Sequence, residues 1–461
     1  MTERLVVIGG DAGGMSAASQ ARRLRSADEL EIIAFERGSY TSYSACGIPY
    51  FIGDVVPKVE SLIARSPETF KDEYQIDARI RHEVTEVDLT SRRLRVSNLE
   101  SSTESWEAFD HLVIATGAQP LRPSLEGCDA EGIFGVQVLG DGIAIRDYLK
   151  ARKSKHAVVI GGGYIGLEMA EAFSLQGLEV ALVEQASQPM PTVDPDLGKL
   201  ITDAMSNMGV EMHLGETVTG FESKDGHVQG VVTDSGSLHA DIVVLGLGAR
   251  PNVELAKEAG IDIGDSGAIK VDSQMQTNAE RVWSAGDCAE KFHRISRGPI
   301  ALALGTHANK EGRVAGINIG GGFETFPGVV GTAVSKVCSL EVARTGLSSS
   351  EAKASGFECL SVVIDSTTRA GYYPGASPIK TKLIAEVGTG RLIGAQIIGE
   401  EGAAKRIDVL ATALWNEMTV DEILNMDLSY APPFSPVWDP VLIAARKAWS
   451  AVQAARSEEP S

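Results

Sequence analysis

The chain writes one pattern twice. From Leu5 it reads LVVIGGDAGGMSAASQARR and reaches IIAFE at Glu36; from Ala157 it reads AVVIGGGYIGLEMAEAF and reaches ALVE at Glu184. Each copy is an apolar run, a glycine cluster, an Ala-rich stretch, a second apolar run and an acid. Val, Ile and Leu without alternation suit strands covered on both faces of a parallel sheet, and the Ala-rich stretches suit helices packed close against it. Two dinucleotide-binding βαβ units follow from this repeat.

In the second copy Gly161-x-Gly163-x-x-Gly166 matches the full fingerprint, with Tyr164 and Ile165 opening the helix. The first glycine permits the turn, the second lets the backbone approach a pyrophosphate, and the third lets helix pack on strand. The pyrophosphate then meets free N–H groups and the positive end of the helix. Glu184, ending the next strand, can accept both ribose hydroxyls and would repel a 2′-phosphate, which favours NADH over NADPH. In the first copy Gly9, Gly10, Gly13 and Gly14 keep the turn permissive, but Asp11 stands where the middle glycine belongs. Either its side chain points away from the pyrophosphate or this loop is a structural turn only. Glu36, followed by Arg37, supports a second adenosine ribose, so the pair of sites reads as FAD plus a nicotinamide nucleotide.

Further strands are expected at 111–115, 241–245 and 281–284, each feeding a glycine-containing turn. The simplest arrangement is a first domain of residues 1–113 and 250–325 with a second unit, 114–249, inserted into it. After Gly320–Gly322 and Pro327 the pattern alternates (360–364, 380–385, 392–398) and is followed by an amphipathic helix near 406–416, which marks a third, α+β domain at 326–450. Residues 451–461 read as a flexible tail. The formal net charge of −20 argues against nucleic-acid partners. Five cysteines make no disulfide framework, and no apolar run nears the ~18 residues of a membrane span. A cytoplasmic protein with no membrane association and no metal site is therefore expected.

With Cys46 in Ser42-Tyr43-Ser44-Ala45-Cys46-Gly47-Ile48-Pro49-Tyr50, the chain resembles the pyridine nucleotide-disulfide oxidoreductases that use one active-site cysteine, and within them the coenzyme A-disulfide reductase and NADH oxidase group. The resemblance also rests on Ala115-Thr116-Gly117, on Ser284-Ala285-Gly286-Asp287, and on Ser429-Tyr430-Ala431-Pro432-Pro433-Phe434-Ser435. It implies an α/β fold with two Rossmann-like domains, as in glutathione reductase, plus an α+β dimerisation domain. Implied with it are FAD, NAD(P)H and a homodimer in which the partner's residues complete each active site. Asp287 then binds the flavin ribitol, and Gly248 joins the cofactor-binding set. Phe51 stands where dithiol relatives carry a second cysteine, so the electrons pass through a sulfur species on Cys46 alone: a mixed disulfide, a persulfide or a sulfenic acid. A helix beginning at Cys46 is expected to lower its thiol pKa. Cys128, Cys288, Cys338 and Cys359 read as core residues.

Tyr430 matches a tyrosine that protonates a leaving thiolate, and either Tyr372 or Tyr373 is its companion. His307 matches a substrate-side histidine or packs a helix; Glu168 matches a carboxylate near the flavin; Tyr164 matches a gate of the nicotinamide pocket. Ser16, Gln20, Arg23 and Ser42 match coenzyme A contacts, so the implied substrate is coenzyme A disulfide or a related small disulfide or persulfide. Oxygen, as in an NADH oxidase, is the enzymatic alternative, and a flavin redox sensor the non-enzymatic one. The phosphates would need local cations, for which the sequence offers Arg22, Arg23, Lys405 and Arg406. On the helix after Gly14, residues Ala17, Ala18, Ala21 and Leu24 are expected to face the core, with Arg22, Arg23 and Arg25 in solvent. Ala45, Tyr74 and Trp438 replace an asparagine and two lysines of those reductases.

Overall fold

The computed structural model describes residues 2–458. Both copies of the repeat form the centre of a five-stranded parallel sheet. In the first, the order is Val282–Ser284, His111–Ile114, Glu3–Ile8, Leu30–Phe35, Asp77–Arg79, with Val6 opposite Ile33 and Leu112. In the second it is Glu211–Leu214, Glu179–Glu184, His156–Ile160, Ile242–Leu245, Ile133–Gly135, with Ala157 opposite Val180 and Ile242. Leu5 to Ile8 and Ala157 to Ile160 are buried throughout. The strand that completes the first sheet, Val282–Ser284, comes from beyond the second unit.

Each glycine loop is fixed by contacts that exclude a side chain. Gly9 has φ +108°, and a Cβ there would lie 2.1 Å from the Ala115 carbonyl oxygen; Gly161 repeats this with φ +97° and a contact of 2.4 Å to the Gly246 oxygen. Helix Gly305–Ile319 lies on helix Ala12–Leu24 through Gly312 and Gly316, whose absent side chains admit the Gly13 and Ala17 carbonyls. That close approach carries His307 toward the first glycine loop.

The third domain is an antiparallel sheet in the order Ala333–Val337, Leu340–Gly346, Leu392–Gly399, Pro378–Glu386, Cys359–Thr367. Ile393, Ala395 and Ile397 face its own helices, while Val337, Val342 and Ile398 join the core of the second dinucleotide unit. Polar contacts lock the same junction. Lys382 Nζ lies 2.8 Å from Asp194 and 2.9 Å from Asp196, and Arg344 donates to the Thr192 carbonyl at 2.9 Å.

The segment expected to be a tail is instead the end of helix Pro440–Glu458 as far as it is described. Val452 is fully buried and Arg456 donates to the Val387 and Gly388 carbonyls, so apolar burial and two capped carbonyls hold it. Residues 459–461 lie outside the described residues. The face of helix Ala12–Leu24 also differs from expectation. Leu24 is 48% exposed, whereas Arg22 is half-buried and donates to the Tyr74, Gln75 and Arg25 carbonyls, and Arg25 pairs with Glu3 at 2.6 Å. Unsatisfied carbonyls at the ends of neighbouring elements draw these guanidinium groups inward; among the described residues only Arg23 remains a surface cation on this face without an acidic partner. No helix among the described residues is long and apolar enough to cross a membrane.

Candidate active site

Both acids that end the second strand of each repeat bind the glycine loops. Glu36 accepts the Gly10 N–H at 2.8 Å and the Gly38 N–H at 2.6 Å; Glu184 accepts the Gly162 N–H at 2.6 Å and the Ala186 N–H at 2.7 Å. Each oxygen is thereby aimed, with lone pairs left over for ribose hydroxyls. The helices that follow, Ala12–Leu24 and Tyr164–Leu175, have neither a side-chain cap nor an acid in the first turn, so their leading N–H groups stay available to an anion. A Cβ on Gly163 would meet nothing closer than the Gly246 oxygen at 4.0 Å. Protein packing therefore does not require glycine there, and the open space beside its backbone leaves room for a ligand to approach.

Asp11 resolves toward one of its two readings. Its Oδ1 accepts the Tyr43 N–H at 3.2 Å, so the carboxylate is turned onto the segment that carries Cys46. Burial, together with Glu36 and Asp287, pushes Asp11 up to about 7. Ser42, at φ +49°, donates its N–H to the Gly10 carbonyl at 3.0 Å, which fastens the cysteine segment to the first glycine loop a second time.

Cys46 lies in a 3-10 turn, Ala45–Gly47, ahead of the short helix Ile48–Ile52. It is solvent-exposed, while Cys128 and Cys288 are buried and Cys338 and Cys359 half-buried; all five are free thiols. The expected lowering of its pKa does not occur in this scaffold. Although the residue as a whole is exposed, its sulfur is partly shielded, and that burial, then the charges of Glu168 and Asp287, push the thiol up; the helix behind it is too short for its dipole to compensate. Glu168 accepts the Ser335 hydroxyl at 3.0 Å and is itself pushed up to about 7 by burial and by Glu171. Asp287 is half-buried and also raised, by burial.

Ala115, Thr116 and Gly117 continue strand His111–Ile114, the neighbour of the central strand Glu3–Ile8 in the first sheet. Asn252 ties this crossover down: Thr116 donates to the Asn252 carbonyl at 2.7 Å and Asn252 Nδ2 donates back to the Thr116 carbonyl at 2.8 Å. Gly117 (φ +67°) and Gly248 (φ +88°) flank it, the latter accepting the Leu121 N–H at 2.9 Å. Arg37 is exposed and lines a cleft between the two units with Gln119, Leu121, Gly135 and Asp141. Tyr164 and Ile165 are half-buried at the start of the second repeat's helix. His307 is buried with Nδ1 unpartnered, and burial with Lys291 and Lys310 pushes it down to about 4, so it is neutral at pH 7.

Of the expected coenzyme A contacts, Ser16 donates to Asn309 at 2.8 Å and Gln20 accepts from Arg23 at 3.3 Å, all along the helix pair. Tyr372 and Tyr430 are 77% and 47% exposed on the third domain, and slight burial and the Tyr430 hydroxyl raise the Tyr372 pKa. Lys405 and Arg406 are not free cations: Lys405 pairs with Asp408, and Arg406 binds Asp439 at 3.1 Å and the Thr368 and Phe434 carbonyls at 2.7 Å. Arg406 is spent on holding the segment that carries Tyr430, because that loop presents carbonyls without strand partners.

A family model described as pyridine nucleotide-disulphide oxidoreductase matches residues 3–312, and one for the dimerisation domain of the same family matches 332–440. The chain belongs to the pyridine nucleotide-disulphide oxidoreductases. It is 40% identical to the CoA-dependent NAD(P)H sulfur oxidoreductase of Pyrococcus abyssi over 96% of this chain and 97% of the relative. It is 30% identical to the coenzyme A disulfide reductase of Staphylococcus epidermidis over 96% and 99% of the two chains. Among solved structures, a NAD-dependent persulfide reductase from A. fulgidus superposes with a TM-score of 0.94 at 38% identity, covering 98% of this chain and 84% of that one.

Family membership carries a flavoprotein oxidoreductase that uses FAD and NAD(P)H, and the two bare glycine loops with their aimed carboxylates fit both. The first glycine loop and Glu36 are the residues that would hold a flavin, which when bound would supply two-electron transfer from reduced nicotinamide. Two residues that hold this site are invisible in the motifs. Lys291 and Glu311, fully buried side chains 3.3 Å apart, clasp the turn before Asp287: Glu311 accepts the Gly286 N–H at 2.8 Å, and Lys291 donates to the Gly286 and Ala289 carbonyls at 2.9 Å. Neither stands out in its own segment, where Glu290 and Arg294 surround Lys291 and Lys310 and Arg313 surround Glu311, and the partners come from separate elements.

Proposed function

We infer that this flavoenzyme uses NADH in preference to NADPH and works as a homodimer that reduces the sulfur–sulfur bond of a coenzyme A disulfide or persulfide through Cys46. The observation that carries the reading is the setting of that thiol: exposed, without a second cysteine beside it, and bonded through Tyr43 and Ser42 to the first glycine loop. A lone thiolate attacks one sulfur of the substrate, forms a mixed disulfide or persulfide on Cys46, and expels the other sulfur as a thiolate. Tyr430 with Tyr372 supplies a phenolic proton to that leaving thiolate from the partner's side of the dimer. Large exposed apolar residues beside them, Phe434 at 76% and Val437 at 68%, support a second copy covering this surface.

The substrate class draws on the relatives above and on charge. Where an aromatic replaces each expected lysine, an arginine from elsewhere stacks on it: Arg65 lies 5.5 Å from the Tyr74 ring and Arg446 5.2 Å from the Trp438 ring. Both arginines are exposed, and with Arg23 they return positive charge for a polyanionic substrate in an acidic protein. The deciding experiment is anaerobic NADH consumption by the FAD-loaded enzyme over coenzyme A disulfide, coenzyme A persulfide, glutathione disulfide and polysulfide, with oxygen in a separate arm. Faster turnover with a coenzyme A species than with the others supports the reading. Preference for oxygen, or turnover that survives Cys46→Ser, overturns it.

A further inference from the structure

The second dinucleotide unit brings two histidines and an aspartate together away from its glycine loop. His156 opens the central strand His156–Ile160, His239 ends the edge strand Ser237–His239, and Asp241 precedes Ile242–Leu245. One donor atom from each lies within 4.8 Å of the other two. His156 Nδ1 is 3.3 Å from Asp241 Oδ2, and His239 Nε2 is 3.6 Å from Asp241 Oδ1.

Every one of the three is oriented from behind. His239 Nδ1 lies 2.9 Å from the Gln229 carbonyl, which only accepts, so Nδ1 carries the proton and Nε2 turns its lone pair to the cluster. His156 Nδ1 is turned inward to Asp241, and Nε2 faces the Glu179 carboxylate at 3.4 Å, a partner that can hold the ring proton when Nδ1 serves as a ligand. Asp241 Oδ2 accepts the Lys155 and His156 N–H groups at 2.8 and 3.0 Å, which fixes the carboxylate. Donor atoms of the three side chains thus face one another, and a metal ion seated among them would displace the proton that bridges His156 and Asp241.

We propose that His156, His239 and Asp241 bind one divalent transition-metal ion of the zinc class, with a water-accessible fourth position. Two imidazoles and a carboxylate are the donor set such ions take, and tetrahedral bonds of ~2.0–2.2 Å place donor atoms ~3.4 Å apart, near the spacings observed. The Gln229 carbonyl and the Glu179 carboxylate act as the outer partners that hold metal-bound imidazoles in one tautomer. The site is a clip and takes no part in the redox chemistry: His156 begins the strand whose far end enters the Gly161 turn, ~15 Å away along the chain. Its ion joins the edge of the small antiparallel sheet to the central strand of the nucleotide sheet.

The test is zinc titration of untagged, FAD-loaded, metal-stripped protein at pH 7.5 against a chromogenic chelator, with melting temperature as a second readout. One zinc equivalent and a raised melting temperature are expected in the wild type, with the affinity for that equivalent weakened at least tenfold and the melting shift gone in both His156→Ala and His239→Ala. Unchanged melting of the metal-free variants confirms that they fold. Equal zinc binding by wild type and both variants, no binding at ~100 μM, or a thiolate-to-cobalt charge-transfer band on replacing zinc by cobalt would each overturn the proposal.

Discussion

Glu184 accepts the Gly162 N–H at 2.6 Å, so the acid we propose for the nicotinamide nucleotide's ribose also sets the glycine loop proposed for its pyrophosphate. Replacing it does two things at once. Glu184→Gln keeps an acceptor for the loop and removes the negative charge, whereas Glu184→Ala loses both. We expect kcat/KM for NADH to fall about tenfold in the Gln variant and further in the Ala variant, with the preference over NADPH shrinking in both. Steady-state kinetics with the two nucleotides checks this; an unchanged ratio would mean that selectivity lies elsewhere.

The raised Cys46 pKa has a direct consequence for pH dependence. The thiolate is the nucleophile, so reactivity climbs as pH rises through a thiol pKa that burial, Glu168 and Asp287 hold above the usual range. Glu168 ionises near pH 7 and opposes that climb from then on. Glu168→Gln removes the opposing charge and can still accept from Ser335, so the alkylation profile of Cys46 in the FAD-loaded enzyme should move to lower pH. A profile that stays put would show that Glu168 does not face the thiol electrostatically.

The buried Lys291–Glu311 pair should behave as coupled charges. Lys291→Met leaves Glu311 without its cation beneath the Gly286 turn and is expected to cost about 3–5 kcal/mol and loosen FAD, while Lys291→Met with Glu311→Met recovers most of that loss. Chemical denaturation and FAD fluorescence read both. A double variant as unstable as the sum of the singles would deny the coupling.

This pair also marks where sequence reading stops. The parallel sheets were legible because the signal is local: apolar runs with no alternation, a glycine turn, an acid at the strand end. Glu36 and Glu184 were legible for the same reason, although their bonds to Gly10 and Gly162 were not. What escaped depends on residues far apart in the chain, as with Asn252 on Thr116 or Lys382 on Asp194, where no spacing rule connects the partners. The arginines show the converse error. Arg22 and Arg406 have the composition of a solvated cationic face, yet both are consumed by carbonyls that only the folded chain brings to them.

On the proposed reading, Arg65 and Arg446 therefore become the residues that would recognise a polyanionic thiol. Each sits over an aromatic ring, Tyr74 or Trp438, that fixes where its charge is presented. Arg65→Ala and Arg446→Ala should each raise KM for coenzyme A disulfide several-fold, leave kcat nearly constant, and flatten the dependence of KM on salt, because each removes one screened charge–phosphate contact. Glutathione disulfide, which carries no phosphate, is the control: its KM should not move. An equal rise with both substrates would show that the arginines hold the protein surface together, and a fall in kcat alone would place them with the chemistry.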